Sequence, residues 1–366
     1  MRGRILPTLR GAGLIVVGAA LIGTGAALDR VELTYFGVVF WGVVIVASLA
    51  VALAPAPRRI TRTGHQDLVA VGDPLRVVTE LSGGSVAFLE DAVDAVSPGL
   101  LQERDDDRNP RMAVSWVMPT RRGAHRIGPV RVEMLAPFGA ARAHRSIGPV
   151  DEILAVPPVV PLLSIRSRGI DDGDPPARHD RSGHGADNLV PRPYVAGDSM
   201  RRVHWRASAH HGDLMVREEE RDQTPRAALV LDLDPESWAD ERAFDLAMNA
   251  CVSVAARLVA DGFDVEVIAV DGSSFASVSS RDGLDDLLIL CARLEPRGQG
   301  AETADFPPGV GLVIGIGSAV PPARAPVPHL LLASSGDHAS ARGWRTAPLE
   351  ADVAASWEAV IDGGAR

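Results

Sequence analysis

The chain has 366 residues, a hydrophobic fraction of 46% and a formal net charge of -10. That length holds two folded domains beside a membrane element, and the apolar content is enough for real cores. The acidic balance argues against a general nucleic-acid binder, which would show a basic face, and the absence of Lys leaves Arg as the only fixed side-chain cation.

Residues 11–28 form an uncharged, Gly/Ala-rich apolar run, and residues 33–53 form a longer and more hydrophobic one. A spanning helix needs roughly 20 apolar residues, so the two predict a transmembrane hairpin over residues 1–60. Asp29, Arg30, Val31 and Glu32 between them suffice for a tight turn. Arg2, Arg4 and Arg10 precede the hairpin, and Arg58, Arg59 and Arg62 follow it. Positive flanks on both sides place both ends in the cytoplasm and the turn outside. Gly11, Gly18, Gly23 and Gly25 would let the helices pack closely. A cleaved signal peptide is the competing reading, disfavoured because a second span follows at once and no good cleavage site separates the two.

Residues 61–163 read as a small β-sandwich-like domain. Residues 68–71 and 75–81 are short β-branched runs separated by a Gly-Asp-Pro turn signal, and 112–117, 130–135 and 153–156 continue the pattern. The acidic stretch 103–107 reads as a solvated loop. In Ala136-Pro137-Phe138-Gly139 the simplest expectation is a turn whose Phe138 plugs the core. Residues 164–225 comprise a Pro/Gly/Asp/Arg-rich connector, expected to be a mobile loop as far as residue 189, and a dense polar segment.

That segment, residues 192–220, packs turn formers, arginines, histidines and a Trp together before an acidic run. Its Arg192, Tyr194, Gly197-Asp198, Arg201, Arg202, His204-Trp205, Arg206 and Val216-Arg217-Glu218 resemble the bacterial domain-of-unknown-function family fifty-eight. The Arg122–Val130 segment with Ala136-Pro137-Phe138-Gly139 is similar to the family too, although Ala136 stands where the family has Asp. The resemblance implies a membrane-anchored protein with a von Willebrand factor A-like C-terminal half, often encoded beside a MoxR-type AAA+ ATPase. The family has no established reaction.

Four readings of the segment follow from its residues. Asp198, Ser199, His204 and Ser208 include the residue types of a hydrolase triad, but no nucleophile elbow surrounds either Ser. His204, His210 and His211, with His179 and His184, could supply zinc ligands. Asp198 could pair with Arg201, Arg202 or Arg206 over a Trp205 anchor, making a structural clamp. The same Arg and Trp residues could instead bind an acidic partner, since such patches are frequent interface hot spots.

Residues 226–366 read as an α/β domain with a doubly wound sheet, because strands 227–233, 265–270, 310–316 and 330–333 alternate with helices 240–260, 284–294 and 353–361. Cys251 and Cys291 fall on the helices and form no CxxC pair, so they read as buried free thiols. Asp232-Leu233-Asp234-Pro235-Glu236 ends the first strand, where ligands sit in such sheets. It is also where von Willebrand A domains carry Asp-x-Ser-x-Ser. Asp232, Asp234 and Glu236 could hold Mg²⁺ or Ca²⁺, with Asp271 and Ser273 as weak further candidates; alternatively Asp234 or Ser237 caps the next helix while the other acids face solvent. Gly315-x-Gly317 near Ser318 resembles a phosphate loop without its Lys.

The expectation is a non-enzymatic, membrane-tethered cytoplasmic scaffold acting by protein–protein interaction. Its partner by resemblance is a MoxR-type AAA+ ATPase, with a role in assembling envelope-associated complexes. The rival expectation is a divalent-metal-dependent binding protein or metallohydrolase using the acidic turn.

Overall fold

The structure, a computed structural model, describes residues 4–55, 57–64, 67–84, 88–105, 109, 111–168, 189–194, 200, 203, 205–219, 224–298, 309–318, 320, 327–334 and 343–363. It divides into two compact units. The first is Met1–Val160 with Asp240–Ser253 and Asp285–Pro296; the second is Pro161–Ala239 with Val254–Leu284 and Arg297–Arg366.

The first unit opens with strand β1 (Arg4–Pro7), then helices α1 (Leu9–Ala27) and α2 (Val31–Leu53). Both helices are long and apolar enough to cross a membrane. The Thr8 side chain accepts from the Gly11 amide and caps α1. The turn between the helices bends through Asp29 at φ 49°. Close packing falls on Gly18, Gly25 and Gly37. A Cβ at Gly18 would lie 2.7 Å from Trp41 Cδ1, one at Gly37 2.6 Å from Gly18 O, and one at Gly25 2.6 Å from Thr34 Oγ1. Two of the expected packing glycines behave otherwise: Gly23 faces open space, and Gly11 abuts the Ala140 backbone.

Strands β2 (Arg59–Thr63), β3 (Leu68–Ala70), β4 (Leu75–Ser82), β5 (Leu89–Val96), β6 (Leu100–Arg104), β7 (Met112–Pro119), β8 (Gly123–Leu135), β9 (Ala141–Ile147) and β10 (Asp151–Val156) follow. They form one sheet in the order β1-β9-β8-β10-β3, with β5 also on β8, and another in the order β2-β4-β7-β6. Strict alternation in β4 turns Leu75, Val77, Thr79 and Leu81 inward and its charged residues out. Both sheets contribute to one core of Val69, Leu75, Val77, Leu100, Val117, Ile127 and Ile153. A second core joins Val44, Ala47 and Val51 of α2 to Leu89, Val132, Met134 and Ala143. Glu103, expected in a loop, lies at the end of edge strand β6.

Two polar devices, centred on Arg62 and Arg145, sit inside this unit. Arg62 on β2 donates through Nε and Nη2 to Asp94 Oδ1 (2.9 and 2.7 Å) and through Nη1 to Asp151 Oδ2 (2.8 Å), while Thr79 donates to Asp94 Oδ2 (2.5 Å). Arg62 and Asp94 are almost fully buried. Burial alone would lower the Arg62 pKa, but the two carboxylates outweigh it and raise it. Gly128, at φ 101°, leaves room for this guanidinium: a Cβ there would lie 2.5 Å from Arg62 Nη2. Arg145 donates to the carbonyls of Val51, Ala52 and Ala54 (2.8 to 3.0 Å), closing the open C-terminal end of α2.

The second unit begins with a 3-10 turn at Ile165–Arg168. Asp261 accepts from Ser164 Oγ (2.8 Å), the Ile165 amide (3.2 Å) and Arg257 (2.7 Å), and Trp357 Nε1 donates to Leu163 O (2.9 Å). The start of the expected mobile connector is therefore pinned; residues 169–188 lie outside the described set. Next come β11 (Leu189–Pro193), α3 (Trp205–His211) and β12 (Met215–Glu219), with β11 and β12 paired antiparallel.

Strand β13 (Arg226–Leu231), helix α4 (Glu241–Ala260), β14 (Asp264–Ala269), β15 (Ser274–Val278), α5 (Arg281–Arg293), β16 (Val310–Ile316), β17 (His329–Ala333), β18 (Arg345–Pro348) and α6 (Val353–Ile361) complete the chain. The sheet order is β15-β14-β13-β16-β17-β18, parallel except for β15. Strand β13 is almost wholly buried, as a central parallel strand requires. Helix α4 is also long and apolar enough to span a membrane, but more than half of it is buried within the protein. Edge strands β15 and β18 are short and half-polar, which hid them from periodicity. The parts of α4 and α5 assigned to the first unit carry Cys251 and Cys291. Both are buried free thiols, and a hydrogen bond to Cys291 together with burial pushes the Cys251 thiol up.

Candidate functional site

The sheet order fixes one place for a site. From central β13 the chain moves to β14 on one side, then returns to β16 on the other. Ligands of open α/β sheets bind where the order reverses, outside the carboxyl ends of the strands. Asp232 follows β13 there, and Gly317-Ser318 follows β16.

Asp232 is fully buried. Its Oδ1 accepts from the Asp234 amide (3.0 Å), and its Oδ2 accepts from the Ser318 amide (3.1 Å) and Ser318 Oγ (3.3 Å). Ser318 Oγ also lies 2.8 Å from Ser237 Oγ. Asp234 accepts from the Glu236 amide (3.0 Å) and caps the 3-10 turn Pro235–Ser237, while Glu236 is exposed. Asp240, not Asp234 or Ser237, caps α4 by accepting from the Ala243 amide (2.8 Å).

The three acids of the turn thus point three ways: Asp232 inward, Asp234 along the turn, Glu236 to solvent. Among the described residues no three His, Cys, Asp or Glu side chains converge as metal ligands do. Asp271 serves its own turn by accepting from the Ser273 amide and hydroxyl, and the hydroxyl contact lowers its pKa. The Gly-x-Gly signal has a packing cause. A Cβ on Gly317, at φ 130°, would lie 2.2 Å from Asp232 Cβ, and one on Gly315 would lie 2.7 Å from Val320. The glycines admit Asp232 and its neighbours, and the pattern needs no phosphate.

The polar segment lies in the same unit. Gly197, Asp198, Ser199, Arg201, Arg202 and His204 fall outside the described residues, as do His179 and His184. Arg192 sits on β11 opposite Val216 of β12, and the Tyr194 amide donates to Leu214 O (2.8 Å). Val203 bridges to Val216. Ser208 accepts from the Met215 amide (2.8 Å), which ties α3 to β12 and gives this Ser a structural task. His210 is exposed. Trp205 departs from the expectation of a buried anchor: it is 68% exposed. Arg206 beside it is exposed, as are Met200 and Leu214.

Within the first unit, the Arg-Gly hairpin carries an arginine clamp of the kind that is one of the four readings of the later segment. Arg122, between β7 and β8, donates through Nε to Cys291 O (3.0 Å), through Nη2 to Leu294 O (2.6 Å) and through Nη1 to Asp245. Its guanidinium lies 4.9 Å over the Phe244 ring. Burial is the largest influence on it and lowers its pKa, against the pull of Asp245. Sequence reasoning missed this clamp and the Arg62 cluster, because their partners lie far off in sequence.

These features define a protein with two membrane-span-capable helices, two mainly antiparallel β sheets in which β10 and β3 pair parallel, and an α/β sheet at whose switch point Asp232 is hydrogen-bonded to Ser318. Residues 191–306 match the family model described as Protein of unknown function DUF58. No curated protein matches the chain. Among solved structures it is similar to the cohesin module from Clostridium perfringens ATCC13124 family 33 glycoside hydrolase, with 9% identity over 28% of this chain and 97% of that one, and a TM-score of 0.16.

Proposed function

We propose that this protein is a non-enzymatic, membrane-tethered scaffold, with both ends in the cytoplasm, that docks an acidic protein partner on its polar segment. The observation that carries the reading is Trp205, a large aromatic held 68% exposed beside the exposed Arg206. Trp and Arg are enriched among residues that dominate binding energy, because each brings large area or several donors at one point. On α3 they are presented by a short element tied down through Ser208. The acid at the switch point, Asp232, is spent on the Asp234 amide and on Ser318 within the fold, which is in keeping with a binding role. The α/β sheet fits a von Willebrand A-like reading, with Asp232 at the end of the central strand. A MoxR-type AAA+ ATPase is the partner the family resemblance names.

The test is a pull-down of full-length protein from native membranes, compared with a Trp205→Ala, Arg206→Ala variant. Selective loss of one partner from a variant that still folds supports docking. An unchanged set of partners overturns it.

A further inference from the structure

The turn Pro137–Gly139, between β8 and β9, was expected to plug the core with Phe138; instead Phe138 is 76% exposed. Its backbone is left-handed at φ 59°, a region that bulky side chains rarely enter. An aromatic held in a strained conformation with its ring in water is doubly unfavourable. Strain of this kind persists where it serves a purpose.

The surroundings name the solvent that removes the second penalty. Phe138 and Pro137 form one wall of an apolar cavity of about 390 Å³; the other wall is the α2 face with Gly42, Val46, Ala47 and Ala50. The helix rises 1.5 Å per residue, so this face lies roughly 5 to 17 Å back from the Leu53 end of α2. From the hairpin turn to Gly42 the helix covers only about 17 Å, whereas a bilayer core is about 30 Å thick. The hairpin therefore cannot cross a membrane without carrying Gly42–Ala50, and Phe138 with them, into hydrocarbon. Helix α1 imposes the same limit. Thr8 donates to Gly139 O and its amide to Ala140 O (3.2 Å), so α1 leaves the sheet beside this turn. Leu9 is 92% exposed and Leu6 51% exposed at that departure point.

We infer that the β8–β9 turn is a membrane wedge: Phe138 sits in the hydrocarbon of the leaflet next to the β sheets, and a phospholipid acyl chain fills the cavity between it and α2. This rests on the reading of α1 and α2 as membrane spans. The β unit is then partly sunk into the bilayer rather than hung from it by a linker.

The test uses full-length protein in phosphatidylcholine–phosphatidylglycerol vesicles. A Phe138→Cys variant is labelled with a polarity-sensitive fluorophore; Cys251 and Cys291 are buried and stay unlabelled in the folded protein, which also reports that the variant folds. Val39→Cys, on an exposed face of α2, reports the span, and Leu101→Cys on β6 is the aqueous control. The expected result is blue-shifted emission at position 138, quenched by nitroxide on lipid acyl chains and insensitive to iodide, as at position 39. Quenching by iodide, as at position 101, overturns the wedge. Protection from both quenchers also overturns it and points to a second copy covering the turn. If position 39 itself escapes the lipid nitroxide, the spanning reading fails rather than the wedge alone. Should Phe138→Cys expose the native thiols, Pro137→Cys on the same wall carries the label.

Discussion

Arg122 and the Trp205–Arg206 pair use the same residue types to opposite ends. Arg122 lies over Phe244 and spends its guanidinium on two helix-terminal carbonyls and Asp245. Trp205 and Arg206 lie in solvent on a short helix. An arginine whose donors are consumed within the fold is architecture; one that keeps its donors at the surface is available for recognition. Composition cannot separate the two cases. The deciding quantity is whether the chain returns acceptors to the guanidinium, and for Arg122 they come from residues more than 120 positions away.

The comparison breaks most sharply where the arginine is most buried. Arg62→Met should cost about 3–5 kcal/mol, because it removes the compensating charge from the buried Asp94 carboxylate and leaves it the neutral Thr79 hydroxyl. Adding Asp94→Leu should recover much of that loss, since replacing both members of a buried pair by apolar groups is often close to neutral. Arg122→Met should cost less, about 1–3 kcal/mol, because Asp245 keeps Arg121 at 3.6 Å and is partly solvated. Denaturant titration of full-length protein in mild detergent measures all three. Equal losses at Arg62 and Arg122 would show that burial does not rank these arginines.

Much of the architecture was readable from pattern. The two apolar runs correspond to α1 and α2, and β13, α4, β14, β16 and α6 stand within about two residues of the periodic segments that predicted them. Strands β1, β2, β5, β6, β9, β15 and β18 have no counterpart among the periodic runs; β1, β2, β15 and β18 are only four or five residues long, and the partner of β1, strand β9, lies far off in sequence. The errors of interpretation share a cause. Phe138 as a core plug and Trp205 as the anchor of a clamp both follow from the habit of large aromatics to be buried, yet exposure is set by what surrounds a position. The acidic turn was legible as a sequence but not as a geometry: whether Asp232, Asp234 and Glu236 converge depends on the backbone between them and on Ser318, which is 86 residues away.

A smaller effect probes the interior of the α/β sheet. His329 opens β17, is nearly fully buried, places Nδ1 2.7 Å from Val327 O and meets Trp344 edge-on at 4.8 Å. Burial holds its pKa below the usual imidazole value, despite the opposing carbonyl contact. The unfolded chain binds a proton near pH 6.5, where the folded one does not. The stabilisation is therefore complete above about pH 6.5 and declines as pH falls toward the lower folded value. His329→Gln should flatten that part of the stability–pH curve while leaving the carboxylate-dependent fall at lower pH. Identical slopes in the two proteins would remove His329 as the cause.

The smallest effect is the most diagnostic. Trp205→Ala with Arg206→Ala should change unfolding free energy by no more than about 0.5 kcal/mol, because exposed side chains away from caps and cores contribute little. A structural clamp would behave like Arg122, losing stability and partner binding together; a docking surface loses binding alone. The same denaturation assay that ranks Arg62 and Arg122 therefore decides which kind of arginine Arg206 is. A loss comparable to that of Arg122→Met would place the polar segment with the clamps and take away the main support for docking, since the exposed Trp205 would then be holding structure that its solvent-facing side chain does not reveal.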